Sequence, residues 1–220
     1  MDHRGSTGFL TRHGWVLGLI VLSACGGQTD GADPADGQPE ALEQAEAVAE
    51  APFETGFEDV SHLILEEERH FASLSQLTFG GQNAEAYWST DDEWIMFQAT
   101  PRGAQCDQQF TMRPDGSELS LVSTGVGRTT CGYFFPGNEK IVYGSTHLGG
   151  EECPPEADMS QGYVWALYED YDIFVADADG SNLTRITDTP AYDAEATVSR
   201  DGEWVVFTSA RDGDLEIYKM

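Results

Sequence analysis

One unit of sequence occurs three times in the C-terminal two thirds of this chain, and that repetition limits its fold more than any other feature. Aligning Phe97 with Tyr143 and Phe207 lays Trp88-Ser-Thr-Asp-Asp-Glu-Trp94 over Phe134-Phe-Pro-Gly-Asn-Glu-Lys140 and Val198-Ser-Arg-Asp-Gly-Glu-Trp204. A second pair of segments, Phe110-Thr-Met-Arg-Pro-Asp-Gly-Ser117 and Phe174-Val-Ala-Asp-Ala-Asp-Gly-Ser181, repeats in the same way and continues into Leu119 to Val122 and Leu183 to Ile186. Each segment reads as strand, tight turn, strand, so the unit has four strands. Repeats of this kind are single supersecondary units that bury their apolar faces only by stacking on one another.

Four short strands with closely spaced turn signals predict a blade of a β-propeller rather than half of a sandwich. In Trp204-Val-Val-Phe-Thr-Ser the apolar residues fall on both faces, which predicts a strand packed between two neighbouring blades. Asp201-Gly202 and Gly137-Asn138 are expected to supply the positive φ angles of two-residue hairpins. Trp88, Trp94 and Trp204 are expected in the core.

The residues Asp193-Ala-Glu195, the strand Phe207-Thr-Ser209, Glu216-Ile-Tyr218 and Asp177-Ala-Asp-Gly-Ser-Asn-Leu183 closely resemble the WD-like β-propeller repeats of the TolB family, over roughly 74–220. The resemblance implies an all-β propeller of four-stranded antiparallel blades. It fixes no function by itself, because propellers of this type serve as scaffolds, binding modules and gating domains. Leu74 to Thr78 aligns with Leu183 to Thr187, so the repeats open on the fourth strand of a blade and close on the third. That leaves about three blades where propellers have four to eight. The expectation is a partial six-bladed propeller, with two chains pairing into six blades, a homodimer, as the alternative.

The first 24 residues read as a lipoprotein signal peptide. Arg4, Arg12 and His13 precede the apolar run Trp15 to Leu22, which is too short to span a bilayer. It ends in Leu22-Ser-Ala-Cys25, a tetrad resembling a bacterial lipobox whose cysteine, Cys25, becomes lipidated. Gly26 follows where an inner-membrane protein carries Asp, so the resemblance places the protein on the outer membrane, facing the periplasm. Residues 25–57 are rich in Asp, Glu, Ala, Gly, Pro and Gln, with no Lys or Arg between Arg12 and Arg69, and read as a solvated acidic tether. Residues 58–73 are expected to cap an open edge of the repeats, as repeat arrays require.

The 39 acidic residues against 11 Lys and Arg give a formal net charge of −28. That charge repels phosphates and excludes nucleic acid as partner, and it leaves the acyl chain as the only link to a membrane. Beyond Cys25 the cysteines are Cys106, Cys131 and Cys153. In an exported chain two of the three are expected to form a disulfide, with the pairing open. A metal site of Cys with His147, Glu151 and Glu152 is the alternative, without the usual ligand spacing to support it.

The ring residues of the second and third strands are 13, 31 and 11 residues apart (Phe97 to Phe110, Tyr143 to Phe174, Phe207 to Tyr218). The middle unit therefore carries an insertion of about 20 residues within His147 to Asp170. Its Tyr163, Trp165 and Tyr168 form a candidate partner-binding loop, since aromatic side chains offer large contact area at low entropic cost. The other reading is that Trp165 and Tyr168 seal the insertion onto its blade. No nucleophile elbow, zinc-protease helix or phosphate loop occurs, and a Cys131–His147 dyad is the one catalytic pairing the residues suggest. The turn Asp177 to Asn182 has its glycine two positions too early for a calcium loop. No cofactor is expected; calcium on channel-lining acids such as Glu85 and Glu195 is the one alternative.

Two functions follow. One is a lipid-anchored, non-enzymatic scaffold of the cell envelope that binds a protein or small-molecule ligand; the resemblance implies partners such as peptidoglycan-associated lipoproteins. The other is the propeller portion of an envelope peptidase or amidohydrolase whose catalytic domain is absent from this chain. Clickable palmitate fed to producing cells is expected to label the protein and to miss a Cys25→Ala variant; equal labelling of both would remove the lipid anchor.

Overall fold

Each repeat sets one large ring opposite another across its two central strands, and the sheets grow around those pairs. The computed structural model describes residues 53–220, all within one compact unit. The signal peptide, Cys25 and the tether as far as residue 52 lie outside the described residues. Four antiparallel sheets follow one another along the chain. A two-stranded cap pairs β1 (Glu54–Asp59) with β2 (Ser75–Phe79). Blade 1 contains β3 (Gln82–Trp88), β4 (Ile95–Thr100), β5 (Gln108–Met112) and β6 (Ser120–Leu121). Blade 2 contains β7 (Thr129–Phe134), β8 (Lys140–Ser145), β9 (Asp172–Asp177) and β10 (Thr184–Arg185). Blade 3 has three strands, β11 (Asp193–Val198), β12 (Val205–Ser209) and β13 (Glu216–Lys219). The only helical element among the described residues is a single 3-10 turn, Ser61–Leu63. The protein is thus all-β, a partial propeller of antiparallel blades.

The ring pairs are Phe97 with Phe110, Tyr143 with Phe174 and Phe207 with Tyr218, each directly cross-strand. Their centroids lie 5.9, 6.4 and 5.9 Å apart. Every pair packs onto the layer before it. Tyr143 and Phe174 share a core with Met96 and Val122 of blade 1, and Phe207 and Tyr218 share one with Val142 and Ile173 of blade 2. Phe97 and Phe110 have no preceding blade and meet Phe53 instead, at 6.0 and 5.2 Å and edge to face. Leu77 of β2 closes the same cluster. The cap therefore stands where a blade would stand.

Turn chemistry repeats with the rings. Asp115 and Asp179 each accept the backbone N–H and hydroxyl of the serine two residues on, at 2.9 and 2.6 Å in both turns. The intervening Gly116 and Gly180 have φ of 80° and 85°. Each also abuts the preceding layer: a Cβ on Gly116 would lie 2.4 Å from the Gly56 nitrogen, and one on Gly180 2.6 Å from the Val122 carbonyl oxygen. Glycine is required there both for its dihedral and for close approach.

Several expectations are corrected. Strand β1 starts inside the segment read as tether, and Phe53 is 1% exposed, so the ordered region begins before residue 57. β2 pairs with β1 and not with blade 3, in keeping with the expected partial propeller. At Asp201-Gly202 only the glycine has positive φ, whereas Gly137 and Asn138 both do. Asp201 instead accepts the Glu203 N–H at 3.1 Å. Trp88 and Trp204 are 55% and 44% exposed. Trp94 and Trp204 occupy equivalent hairpin positions, their N–H groups donating to Ser89 and Ser199. Trp94 is half-buried because blade 2 packs against it, while nothing described packs beyond Trp204. For the same reason Val206 is 40% exposed although β12 reads as apolar on both faces.

Replacing Phe53 with alanine is expected to destabilise the fold by about 3–5 kcal/mol, the range for truncating a buried phenylalanine. Urea unfolding followed by tryptophan fluorescence measures this, and an unchanged midpoint would contradict the role given to the cap.

Candidate binding cleft

The innermost strand of every blade carries a β-bulge, and the bulged residue of blade 3, Glu195, faces the cleft. Register shifts fall between Ala84 and Tyr87, Thr130 and Tyr133, and Ala194 and Thr197. At these bulges Glu85, Cys131 and Glu195 adopt φ of 49°, 44° and 53°, a left-handed conformation that costs a non-glycine residue about 1–3 kcal/mol. Tyr87 donates its hydroxyl to Glu85 at 2.5 Å, and Tyr192 donates to Oε1 of Glu195. The Cys131 N–H donates to the Gln98 side chain at 3.1 Å. Cys131 lies within β7. Burial pushes its thiol up to about 11, so at neutral pH it is a poor nucleophile.

The connection from β8 to β9 forms the roof. A disulfide joins Cys106, in the β4–β5 connection of blade 1, to Cys153, with Cα atoms 5.9 Å apart. The Gly127 N–H donates to the Glu151 carbonyl at 3.0 Å. At the neck of the loop a Cβ on Gly149 would lie 2.3 Å from the Asp170 carboxyl carbon, so the two ends are in contact. The loop is thus fixed to both blades. Tyr168 donates its hydroxyl to the Pro155 carbonyl at 2.7 Å and serves the loop itself. Tyr163 is 87% exposed, and Trp165 is half-exposed with its ring edge-on to Tyr192 at 6.4 Å.

Under this roof lies a cleft of about 360 Å³. One wall is a chain of four rings: Trp165 meets Tyr192, Tyr192 meets Tyr171 at 5.5 Å, and Tyr171 meets Tyr168 at 6.2 Å. The remaining lining includes Gln98, Asp107, Arg128, Glu156 and Glu195. Burial raises the hydroxyl pKa of Tyr171 and Tyr192, the latter helped by Glu195, so both stay protonated donors. The strands around the cleft start at buried aspartates with arginine partners. Asp172 pairs with Arg185 at 2.6 Å and Asp193 with Arg211 at 3.2 Å.

Of the sites suggested by sequence, the loop aromatics Trp165 and Tyr168 and the acid Glu195 come together at this cleft, and Tyr163 lies on its rim. Tyr171, Tyr192 and Arg128 carried no signal beyond lying next to strands. His147 is engaged elsewhere, its Nδ1 2.9 Å from Ser145 Oγ and its ring 4.4 Å from Phe174. Ser145 is fully buried, so no substrate reaches this serine–histidine contact. Glu151 and Glu152 are exposed, and among the described residues no three His, Cys, Asp or Glu are grouped to hold a metal ion. Asp177 to Asn182 forms the hairpin turn between β9 and β10, with Asn182 donating to Asp177 at 2.6 Å. No described helix is long and apolar enough to cross a membrane.

The disulfide closes a loop of 47 residues and contributes about 4 kcal/mol on the chain-entropy model. Cys106→Ser with Cys153→Ser is expected to lower stability in that direction and to expose residues 147–170 to limited proteolysis while leaving the far-UV β-signal intact. Unchanged protease resistance would mean that the disulfide does not hold the roof.

No family model matches the chain. Solved structures similar to it include TolB from Acinetobacter baumannii, at 16% identity and a TM-score of 0.49, covering 66% of this chain and 32% of that one. A putative TolB from Agrobacterium tumefaciens has 20% identity and a TM-score of 0.48, with 71% and 54% covered. The hydrazine synthase of Kuenenia stuttgartiensis has 12% identity and a TM-score of 0.43, with 63% and 23% covered. The chain therefore spans between a third and a little over half of the two TolB chains, and it is similar to TolB over part of TolB's length.

Proposed function

We propose that this chain is a non-enzymatic binding scaffold of the bacterial cell envelope, anchored by lipid at Cys25, facing the periplasm and held at the outer membrane. One observation carries the binding role: the loop from His147 to Asp170 is bound by a disulfide to the neighbouring blade and holds an aromatic wall over a cleft. A covalent clasp across two blades is the preorganisation a recognition surface needs, because it removes the entropic cost of ordering the loop on binding. The half-exposed Trp165 and exposed Tyr163 are the residue types that dominate recognition surfaces. The anchor and the compartment rest on the Leu22 to Cys25 tetrad and on the acidic tether that follows it. The inaccessible Ser145–His147 contact and the protonated Cys131 thiol supply no nucleophile within these blades, so a hydrolase reading needs a catalytic domain outside this chain.

A photo-crosslinking residue placed at Tyr163 in an envelope-producing host is expected to trap a partner or ligand, and one placed at Glu203, on the exposed β11–β12 turn, is not. Purified protein should hydrolyse neither fluorogenic peptides nor amide substrates. Absence of any adduct at Tyr163, or turnover that survives purification, would overturn the proposal.

A further inference from the structure

We propose that the cleft under the 147–170 loop binds a small zwitterion, a molecule carrying both an ammonium and a carboxylate on an apolar or aromatic body. This rests on the binding-site reading above and adds the chemistry of the ligand.

Two polar groups of opposite charge in this one cleft have buried atoms without partners. Glu195 receives the Tyr192 hydroxyl on Oε1, but its Oε2 is buried with no hydrogen-bond partner among the described residues. Arg128, at the entry to β7, has its Nε buried without a partner, and no described carboxylate lies within ion-pair distance of it. The contrast with Asp172 and Asp193 is informative, since both of those acids have an arginine at hydrogen-bonding distance. In a chain with 39 acidic residues and 11 Lys and Arg, a half-buried arginine that has no acid beside it and lies 5.9 Å over the Tyr168 ring instead carries a cost that this packing offsets only in part. Buried charged groups left unsatisfied destabilise a protein unless something binds them.

The chemistry of the remaining surface selects the ligand. The rings of Trp165, Tyr192 and Tyr171 offer faces and edges to an apolar body and attract an ammonium through their quadrupoles, while the Tyr168 ring already faces the Arg128 guanidinium at 5.9 Å. An anion alone would face Asp107, Glu156 and Glu195; a cation alone would leave Arg128 unpaired and repel it. A molecule with both charges satisfies Glu195 through its ammonium and Arg128 through its carboxylate, the latter in the forked geometry that guanidinium favours. The cleft volume of about 360 Å³ lies at the small-molecule end of ligand pockets, so the occupant has the size of an amino acid or short peptide and not of a folded protein.

The test is isothermal titration of the full chain at neutral pH with three probes that differ by one group: L-phenylalanine, phenethylamine, which lacks the carboxylate, and 3-phenylpropionate, which lacks the ammonium. Phenylalanine is expected to bind at least about tenfold more tightly than either single-charge probe, the value of one charge-assisted hydrogen bond. Arg128→Gln should erase its advantage over phenethylamine, and Glu195→Gln its advantage over 3-phenylpropionate, with far-UV circular dichroism confirming that both variants fold. Equal affinities for the three probes, a single-charge probe binding best, or no binding of any of them up to on the order of 10 mM would overturn the zwitterion. The wild-type comparison stands even if a variant does not fold. Crosslinking at Tyr163 together with failure of all three probes would leave the scaffold standing and remove only the ligand class proposed here.

Discussion

The packing of one aromatic pair onto the layer before it is the contact from which everything else in this molecule follows. A four-stranded sheet of short strands cannot bury both faces alone, and at Phe97–Phe110, Tyr143–Phe174 and Phe207–Tyr218 the solution is the same: two rings face backward onto a preceding apolar surface. In β8, Ile141, Val142 and Tyr143 are all inaccessible because sheets lie on both sides. Burial of apolar area at roughly 25 cal/mol per Å² makes this stacking the main stabilising term, and the turns with their aspartate caps only set its register.

The bulged inner strands translate that scaffold into a site. Because a bulge leaves one residue without a cross-strand partner, the side chain at that position is freed from the demands of the core. Glu85, Cys131 and Glu195 stand at matching places; the two glutamates each accept a tyrosine hydroxyl while the middle blade carries a thiol, and the rings vary less. The cleft combines a conserved geometry of the strands, in the sense of repeated within one chain, with side chains that differ from blade to blade. Its roof comes from outside the repeat, and the disulfide gives that roof the rigidity the strands already have.

The architecture was legible wherever the period was carried by large residues. The spacing of Phe97, Tyr143 and Phe207 located the central strands, and the matching of Phe110 and Phe174 located their partners to the residue. The insertion was visible as a change in that spacing. A cap was expected at 58–73, but its strands are Glu54–Asp59 and Ser75–Phe79, and its buried Phe53 escaped notice because it lies in acidic, proline-containing sequence whose composition argues for solvation. The tryptophans misled because burial belongs to the neighbour: Trp94 and Trp204 hold the same hairpin position with and without a sheet beside them. Within the cleft, Glu195 and the loop aromatics could be singled out, but Tyr171, Tyr192 and Arg128 converge from separate connections, which no linear pattern encodes.

The cap gives this array a direction. On one side Phe53 and Leu77 stop the stacking with two strands and no aromatic pair, while on the other Val206 and Ile217 present an apolar sheet face to solvent. Stacked repeats with a terminator on one side behave like a one-dimensional lattice with a fixed origin. Further sheet packing on the blade 3 side would leave the cap untouched, and the cleft, whose lining runs from Gln98 of blade 1 to Glu195 of blade 3, would keep its three blades. Recognition then draws on all three blades, while the apolar face of blade 3 at Val206 and Ile217 stays open to a further sheet.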